Sequence, residues 1–370
     1  MKGKAMKKII LGTVLLLIVS LVMSSCGIIE LGNPQMPQTT EEQSVLTGDS
    51  LLKVTFIDVG QGDSAFIEFP DGKCMLIDAG ERADSINAIH FIQKAGYSRI
   101  DHLVVTHPHS DHMGGMVKII EAFEIGEIYM TNAVNNTSSF EELLDTIERE
   151  NIPLKQAKKG VVITSGNELE ARFLSPVSEE YDELNNYSSV VKITYKSKSF
   201  LFMGDAETLA EEELGMEVAC DVVKIGHHGS NTSSGDDFVK RTGADYGVIS
   251  VAETNKYGHP HSEVVDRWIK NGTKIFRTDD CGNITFVTDG KEFEIVTSKG
   301  EVPPTTVLSD DTPNTSVLIW ILNIKTMKIH KEGCSSVEDM KEENKEYSSK
   351  TLDELIKEGY TPCGVCDTEE

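Results

Sequence analysis

The sequence predicts an α/β protein in which short buried strands alternate with helices. Short apolar runs recur along the chain and are separated by Gly-, Pro- and Asn-containing turns. One of these runs is followed by a cluster of His and Asp at residues 107–112, as expected where a strand end carries a site. With 370 residues, 39% of them hydrophobic, the chain has enough apolar side chains for one large domain and a smaller one.

The charge balance limits the partners that the surface can bind. The chain has 60 acidic and 35 basic residues, and its net charge is −25. A general polyanion-binding face is therefore excluded, so a nucleic acid would have to be held by bound metal and a few local Lys or Arg residues. Cys74, Cys220 and Cys281 lie in strand-like contexts and are predicted to be buried thiols.

Residues 1–26 have the composition of a targeting segment. Lysines precede an apolar stretch over residues 9–22, and small residues precede Cys26. The arrangement resembles a bacterial lipoprotein signal, with Met23 where Leu is usual. It implies that Cys26 becomes the lipidated N-terminus of an extracytoplasmic protein anchored to the cell membrane. An uncleaved anchor is the alternative, although the apolar run is short for a membrane span.

A strand-rich pattern begins at residue 51, after a flexible tether over residues 27–50 that contains Pro and Thr and has no periodicity. A helix is predicted over residues 84–96. Strands are predicted over residues 51–58, 64–69 and 74–77, because these segments are rich in β-prone residues and are separated by turn sequences. Asp78 follows the third of these strands.

The sequence His107-Pro-His109-Ser-Asp111-His112-Met-Gly-Gly is the strongest functional signal in the chain. It lies between a predicted strand and a helix predicted over residues 113–123, so its side chains are held on a rigid turn. Imidazole nitrogens and carboxylate oxygens are the ligands that hold zinc, manganese or iron. The alternative is a His-rich surface turn that binds nothing, and the strand and helix context disfavours it.

The alternation of strands and helices continues beyond this turn. A polar helix is predicted over residues 138–150, with Ser138 or Ser139 as its cap. Another helix begins near Pro260. The acidic run over residues 207–217 is predicted to be a solvated helix face. Strands that deliver further polar residues are predicted over residues 189–195, 199–203, 221–225 and 246–251.

Several motifs carry a resemblance to a known family. The Thr-His-x-His-x-Asp-His sequence that ends at His112 resembles the signature of the metallo-β-lactamase superfamily. The order of further motifs resembles the hydrolase domain of ComEC, the competence DNA-uptake channel. These motifs are Phe56-Ile-Asp-Val-Gly-Gln-Gly-Asp-Ser64, Leu76-Ile-Asp-Ala-Gly80, Phe202-Met-Gly-Asp205, Lys224-Ile-Gly-His-His-Gly-Ser230 and Gly258-His-Pro-His261. The resemblance implies a metallo-β-lactamase αββα sandwich, which we place at residues 51–299.

The resemblance also implies a ligand set for two divalent ions, zinc or manganese. Asp205 is expected to bridge the ions, and either His227 or His228 is expected to supply the last ligand of the second ion. The other expected ligands are His107, His109, Asp111 and His112. Asp78 is expected to orient the site through hydrogen bonds, with an ordinary Asp-Ala-Gly turn as the alternative.

One superfamily ligand is missing from the chain. No His lies between His112 and His227. Asn185 or Asn186 stands where a further His is expected, and an amide oxygen or water there favours manganese over zinc.

Another group of residues is expected to face the substrate. His259 lies on a loop after a predicted strand, where it could donate to a phosphate oxygen or protonate a leaving group. The alternative is that this segment is simply the start of a helix. Weaker candidates for substrate or supporting contacts are Lys224, Ser230 and His261.

The expected chemistry is metal-assisted hydrolysis. Two ions about 3.5–4 Å apart lower the pKa of a bound water and neutralise an oxyanion, with Asp111, Asp205 and His259 as the catalytic residues. Phosphodiesters, lactams, thioesters and lactones are all open to such a site. The resemblance implies a nuclease or phosphodiesterase with a nucleic-acid or phosphodiester substrate. The alternatives are a small-molecule metallo-hydrolase, such as a lactonase or β-lactamase, and a non-catalytic DNA-binding lipoprotein.

A second, small domain is predicted over residues 317–370, behind a Pro- and Thr-containing linker over residues 300–316. Its four candidate ligands for a tetrahedral structural zinc ion are His330, Cys334, Cys363 and Cys366. Their arrangement resembles the zinc module of the Ada DNA-repair family, and it implies a module that needs the metal to fold and that either helps to hold nucleic acid or caps the domain. A Cys363–Cys366 disulfide outside the cell is the alternative.

Overall fold

The computed structural model describes residues 50–306, 320–331, 334, 337, 340, 341, 344–348, 350 and 352–363. The predictions for the signal segment, the tether, Cys26 and Cys366 lie outside the described residues. None of the described helices has the length and hydropathy that a membrane span requires.

Two β-sheets form the centre of the domain. The first has eight strands: β1 (Leu52–Phe56), β2 (Ala65–Glu68), β3 (Cys74–Ile77), β4 (Arg99–Val105), β5 (Glu124–Met130), β6 (Leu154–Gln156), β14 (Ile284–Thr288) and β15 (Phe293–Thr297). The second has seven strands: β7 (Val162–Gly166), β8 (Leu169–Phe173), β9 (Val191–Tyr195), β10 (Lys198–Phe202), β11 (Val222–Lys224), β12 (Tyr246–Ile249) and β13 (Lys274–Arg277). The strand orders are β15-β14-β1-β2-β3-β4-β5-β6 and β13-β12-β11-β10-β9-β8-β7.

Helices cover the outer face of each sheet. The apolar cluster on the first sheet includes side chains of α1 (Ser85–Lys94), α3 (Met116–Ala122) and α4 (Ser138–Arg149). The cluster on the second sheet includes side chains of α5 (Thr208–Glu213), α6 (Asp236–Thr242) and α7 (Ser262–Lys270). The short helices α2 (Ser110–Met113) and α8 (Thr278–Cys281) lie at strand ends. The layers therefore form the predicted αββα sandwich, and the fold class is confirmed.

Aromatic side chains fill the space between the two sheets. Phe286 of the first sheet is fully buried, and its ring meets those of Phe56, Phe200 and Phe276 edge-on at centroid distances of 6.1, 6.1 and 6.2 Å. Because Phe200 and Phe276 belong to the second sheet, these edge-to-face contacts join the two layers.

Parallel strands bring their carboxyl ends to one edge of each sheet. Strands β3 to β6 are parallel in the first sheet, and β10 to β13 are parallel in the second. The segments that follow β3, β4, β10, β11 and β12 therefore emerge together, as polar sites do at the carboxyl ends of parallel strands. These segments contain the residues of the candidate site.

Several local predictions differ from the structure. The helix predicted over residues 113–123 is divided between α2 and α3, because the Gly115 N–H donates to the Gly80 carbonyl oxygen at 2.9 Å and not to a helix carbonyl. Glycine fits here because a Cβ would lie 2.4 Å from the Ala79 carbonyl oxygen. Helix α4 starts after Thr137, so neither Ser138 nor Ser139 is its cap.

The acidic run over residues 207–217 is not a solvated face along its whole length. Glu211 is buried and accepts hydrogen bonds from the backbone N–H groups of Ser234 and Gly235. The prediction is wrong there because Glu211 caps the N-terminus of α6, where unpaired N–H groups need an acceptor. Part of the predicted linker also pairs with the sandwich, since Thr305 and Ile275 form a β-bridge. Cys74, Cys220 and Cys281 are buried, as predicted.

The described part of the C-terminal region forms a third, small sheet. Its four strands lie in the order β18-β16-β17-β19. They are β16 (Trp320–Asn323), β17 (Lys328–His330), β18 (Lys345–Ser348) and β19 (Thr361–Pro362), and helix α9 spans Leu352–Lys357. Trp320, Leu322, Ile329 and Leu355 form a core of their own, which is separate from the clusters of the sandwich.

Candidate metal centre

Two sets of metal-binding side chains share one carboxylate. Asp205, which follows β10, is 2% exposed. Its Oδ1 lies 3.1 Å from His112 Nε2 and 3.5 Å from His228 Nε2. Its Oδ2 lies 3.8 Å from His107 Nε2. The two oxygens of Asp205 therefore face different groups of imidazoles.

The deeper set contains four residues. Asp111, His112, Asp205 and His228 each place one ligand atom within 4.8 Å of the others. Asp111 Oδ2 lies 3.2 Å from His228 Nε2 and 3.9 Å from His112 Nε2. The other set is formed by His107, His109 and Asp205, again with all ligand atoms within 4.8 Å. These sets contain six of the seven ligands that the sequence predicts, and only His227 is in neither.

Unpaired buried atoms show that this chemistry fits a metal. Asp205 Oδ1, His112 Nε2 and His228 Nε2 are buried, and none has a hydrogen-bond partner among the described residues. Burying a polar atom without a partner costs free energy, so such atoms in a native protein usually bind a water or an ion. Burial opposes charging of His112, yet Asp205, Asp78 and Asp111 together hold its pKa well above its ordinary value. The carboxylates around His112 therefore favour a positive charge among them, and a divalent cation bound there would displace the proton from His112.

A buried carboxylate fixes the orientation of His112. Asp78 Oδ2 lies 2.8 Å from His112 Nδ1, and it also accepts a hydrogen bond from Thr106 Oγ1 at 2.6 Å. Asp78 Oδ1 accepts from the Thr106 backbone N–H at 2.9 Å. His112 Nδ1 therefore donates to Asp78 and leaves Nε2 as the ligand atom. Asp78 therefore contacts a predicted metal ligand in the way that the expected orienting role requires.

His228 is oriented by a buried network that sequence reasoning missed. Its Nδ1 donates to the Ser250 carbonyl oxygen at 2.9 Å and lies 3.3 Å from Asp63 Oδ1. The same Asp63 oxygen is 3.0 Å from Lys224 Nζ. Burial opposes ionisation of Asp63, but Lys224 and His228 outweigh it and lower its pKa. Asp63 belongs to the Gly-Gln-Gly-Asp motif, which was the available signal.

Lys224 and Ser230 do not contact the cavity. Lys224 is 3% exposed and also donates to the Ile225 carbonyl oxygen at 2.8 Å. Ser230 Oγ lies 3.2 Å from Thr232 Oγ1, within the loop after β11. Of the two roles predicted for them, supporting contacts or substrate contacts, the structure favours supporting contacts, because both side chains are buried and neither lines the cavity. Their contacts support that loop and Asp63 instead.

His227 and His228 have different positions although they are neighbours. Both have left-handed backbone conformations, with φ of 47° and 52°. His228 points into the deeper set. His227 Nε2 lies 3.8 Å from Asp205 Oδ2 at the opening, and its Nδ1 lies 3.0 Å from Thr232 Oγ1. The structure thus favours His228 as the ligand of the deeper ion.

Asn185, and not Asn186, faces the cavity. Asn185 lines it, and the buried Asn185 Oδ1 has no hydrogen-bond partner among the described residues. Asn186 Oδ1 instead accepts from the backbone N–H groups of Glu207 and Ala210, at 3.3 and 3.4 Å. Asn186, which we expected to contact the site or the substrate, therefore binds the backbone at the start of α5. The amide oxygen available to the first ion is that of Asn185.

His259 closes one side of the cavity. It is 9% exposed, its Nδ1 has no hydrogen-bond partner among the described residues, and its ring centroid is 5.5 Å from that of His227. Burial and the neighbouring imidazoles lower the pKa of His259 to about 3, so the ring is neutral. A neutral imidazole can donate one hydrogen bond to a phosphate oxygen, but it is not an acid at neutral pH. His261 is not among the described residues that line the cavity, and its Nδ1 accepts from the Asn231 backbone N–H at 3.0 Å.

The cavity has a volume of about 280 Å³. Its described lining combines ligands with other polar and aromatic groups: Gln61, His109, Ser110, Asp111, Asn185, Asp205, His227, His228, Tyr257 and His259. Sequence reasoning missed Gln61 and Tyr257. The shape accommodates a small polar group beside the shared carboxylate.

A separate candidate zinc cluster lies in the small C-terminal sheet. His330, Cys334 and Cys363 are buried, and their ligand atoms lie within 4.8 Å of one another. His330 Nδ1 is 3.5 Å from Cys334 Sγ, which is 4.0 Å from Cys363 Sγ. The structure therefore brings together the three predicted ligands that it describes.

Comparisons with known proteins agree with this arrangement. A family model described as the metallo-beta-lactamase superfamily matches residues 57–253, which is more than half of the chain. ComE operon protein 3 of Bacillus subtilis is 27% identical over 254 residues, which cover 63% of this chain and 33% of the relative. Competence protein ComA of Neisseria gonorrhoeae is 30% identical over 238 residues, which cover 63% of this chain and 32% of that one.

The chain spans about a third of the length of these curated relatives. Among solved structures, Igni18, a metallo hydrolase from the archaeon Ignicoccus hospitalis, has a TM-score of 0.44 and 15% identity; the match covers 66% of this chain and 100% of that one. The family match includes the His107–His112 motif, Asp205 and His228. The chain therefore belongs to the metallo-β-lactamase superfamily and is related to ComEC-type competence proteins.

Proposed function

We propose that the chain is an extracytoplasmic, metal-dependent phosphodiesterase that cleaves nucleic acid. Its superfamily consists generally of metal-dependent hydrolases, and its curated relatives are competence proteins. The observation that carries the proposal is the position of Asp205 at the cavity, where its two oxygens face separate groups of imidazoles. In one of these groups, the ring nitrogens His112 Nε2 and His228 Nε2 are buried without a hydrogen-bond partner among the described residues.

The side chains divide the work between binding and positioning. His107, His109 and Asp205 would hold one divalent ion, and Asp111, His112, His228 and Asp205 would hold the other. Bound ions of this kind supply Lewis acidity and a water of lowered pKa. Asp78 and Asp63 keep the ligating imidazoles in their tautomers. His259 provides a neutral N–H group for a phosphate oxygen, opposite the ligands.

A small-molecule hydrolase is the second candidate. The described residues that line the cavity include no Lys or Arg, and the net charge of −25 repels long polyanions. These observations favour a compact substrate. The two candidates differ in their substrates, which a cleavage assay separates directly.

The test is cleavage of end-labelled single-stranded and duplex DNA by the full-length chain with added manganese or zinc. We expect metal-dependent cutting that Asp205→Asn abolishes. Asp245→Asn is the matched control, because Asp245 is exposed and precedes β12 at the opposite edge of the sheet. Absence of cutting with every metal, together with turnover of a lactone, would overturn the proposal in favour of the second candidate.

Membrane attachment through Cys26 is part of the proposal. The lysine-rich and apolar residues before Cys26 support it, because they match the organisation of a bacterial lipoprotein signal. We expect the wild-type chain in the membrane fraction with a lipid label, and Cys26→Ser without the label. An unlabelled wild-type chain would exclude lipidation.

We also propose that the C-terminal region binds one structural zinc ion. The convergence of His330, Cys334 and Cys363 supports this, and Cys366 would complete the set. We expect Cys334→Ser to reduce the zinc released on thiol modification by one equivalent, whereas Cys220→Ser should not change it. Equal zinc release from both variants would contradict the proposal.

A further inference from the structure

Aromatic and cationic side chains form a rim beside the metal cavity. Tyr257 lines the cavity and stacks on His259, with ring centroids 5.6 Å apart and planes inclined by 21°. Lys256 Nζ lies 5.1 Å from the Tyr257 ring centroid and 5.9 Å from that of Tyr347. We refer to Tyr257, Lys256 and Tyr347 as the stacking rim.

The rim joins the two folded parts of the chain. Tyr257 and Lys256 lie on the loop after β12 of the sandwich, whereas Tyr347 lies on β18 of the small C-terminal sheet. The described residues of both parts belong to one compact unit. The C-terminal sheet therefore supplies a ring to the surface that extends from His259, and a substrate leaving the cavity on this side would meet it.

The Asn255 side chain makes four hydrogen bonds within the loop. Asn255 Oδ1 accepts hydrogen bonds from the backbone N–H groups of Tyr257 and His259, at 3.1 and 3.0 Å. Asn255 Nδ2 donates to the carbonyl oxygens of Ala252 and His259, at 3.2 and 2.7 Å. The loop thus presents Tyr257 and His259 in a fixed relation, and less conformational freedom is lost when a ligand binds.

Charge and exposure indicate which ligand the rim fits. Tyr257 and Tyr347 are 38% and 44% exposed, so both rings are accessible to a ligand. The net charge of −25 and the absence of Lys and Arg from the described cavity lining disfavour binding that depends on phosphate contacts, as duplex binding does. Stacking on aromatic rings, assisted by a neighbouring cation, binds the face of any nucleobase and does not require contact with the phosphates. Only unpaired bases offer their faces in this way.

We infer that the stacking rim binds unpaired bases next to the scissile phosphodiester, so that the substrate class is single-stranded nucleic acid and the C-terminal sheet takes part in binding it. The inference rests on the proposed phosphodiesterase function. It assigns Tyr347 a binding role and no part in the chemical step.

The experiment uses the full-length, manganese-loaded chain and four substrates: a labelled single-stranded DNA oligonucleotide, the RNA of the same sequence, the DNA duplex and bis(4-nitrophenyl) phosphate. The variants are Tyr347→Ala, Tyr347→Phe and Ile356→Ala. Ile356 is the matched control, because it is 45% exposed and lies on α9 of the same region. Fluorescence anisotropy with the single-stranded oligonucleotides measures binding separately from hydrolysis.

We expect Tyr347→Ala to weaken oligonucleotide binding and to raise its KM about tenfold, the usual effect of losing one stacked base. The ratio of kcat/KM for the oligonucleotide to that for bis(4-nitrophenyl) phosphate should fall by the same factor. Tyr347→Phe should retain wild-type binding, since the ring is kept, and so should Ile356→Ala. DNA and RNA should behave alike, and the duplex should bind more weakly than either.

Three results would overturn the inference. They are unchanged oligonucleotide binding by Tyr347→Ala, a preference for the duplex, and an equal loss with bis(4-nitrophenyl) phosphate, which would indicate damage to the cavity. Failure of the proposed function can be told apart from failure of this inference. If the proposed function fails, the chain will hydrolyse no diester. The anisotropy measurement will still report whether the chain binds single strands and whether Tyr347→Ala weakens that binding.

Discussion

The buried pair between Lys224 and Asp63 leads to the most specific stability prediction. Lys224 Nζ lies 3.0 Å from Asp63 Oδ1, and the side chains are 3% and 8% exposed. Removing one partner of a buried ion pair leaves the other charge desolvated and costs about 3–5 kcal/mol. We therefore expect Lys224→Met to lower the free energy of unfolding by that amount. An exposed pair is the control: Lys73→Met, which breaks the 3.8 Å contact with Asp71, should cost less than about 1 kcal/mol.

The effects of the two residues on stability should also be coupled, and loss of the ion pair should weaken metal binding. The double variant Lys224→Met/Asp63→Asn removes both charges, so it should be more stable than the sum of the single effects predicts, by roughly 2 kcal/mol. Because Asp63 also lies 3.3 Å from His228 Nδ1, Lys224→Met should weaken metal affinity about 10- to 100-fold. Lys224→Arg keeps the charge, so it should lose less stability and less metal affinity than Lys224→Met.

Urea denaturation of the wild-type chain, the single variants and the double variant measures the cycle, and metal titration by calorimetry measures the affinity. The reasoning would be refuted if the two single effects added within about 0.5 kcal/mol, which is the limit for independent sites. It would also be refuted if Lys224→Met cost no more than Lys73→Met.

Three further predictions concern the core, a buried acid and the orienting carboxylate. Phe286→Ala should cost about 3–5 kcal/mol in urea melts, because it opens a cavity among the rings of Phe56, Phe200 and Phe276; a cost below 1 kcal/mol would contradict this packing. Burial raises the pKa of Glu211 to about 7 from 4.5, although the N–H groups of Gly235 and Ser234 lower it. The protonated Glu211 carboxyl therefore stabilises the fold below pH 4.5, and this stabilisation is lost as the pH rises through 7. The stability advantage of wild type over Glu211→Gln should shrink by about 3 kcal/mol across that range, measured in melts at several pH values. A difference that stays constant with pH would disprove this prediction. Asp78→Asn should weaken metal affinity about 10- to 100-fold without unfolding the chain, and unchanged affinity in a metal titration would exclude the orienting role.

The sequence predicts the sandwich well because periodicity and turn residues are local properties. The strands at Leu52–Phe56, Ala65–Glu68 and Cys74–Ile77 lie within their predicted ranges. Boundaries fail where tertiary contacts decide them. The predicted helix is interrupted at Gly115 because its N–H donates to the Gly80 carbonyl oxygen, and Glu211 is buried because α6 needs an acceptor at its N-terminus.

The candidate site divides in the same way. The motif residues converge, because parallel strands bring their carboxyl ends together. The choice between neighbours could not be predicted: His227 and His228 have consecutive left-handed conformations, which no periodic pattern indicates. Similarly, Asn185 faces the cavity while Asn186 binds α5, as the 3-10 turn at Leu184–Tyr187 dictates. Asp63 was missed because its contacts with Lys224 and His228 join distant segments of the chain.

Anomalous diffraction from crystals of the manganese-loaded chain tests the central claim most directly. The account predicts two manganese peaks, one on each side of the Asp205 carboxylate, with His107 and His109 next to one peak and Asp111, His112 and His228 next to the other. Crystals of Asp205→Asn grown in the same way should lose at least one peak. A single peak that Asp205 does not contact, or two peaks that persist in Asp205→Asn, would contradict a two-metal centre built on that residue.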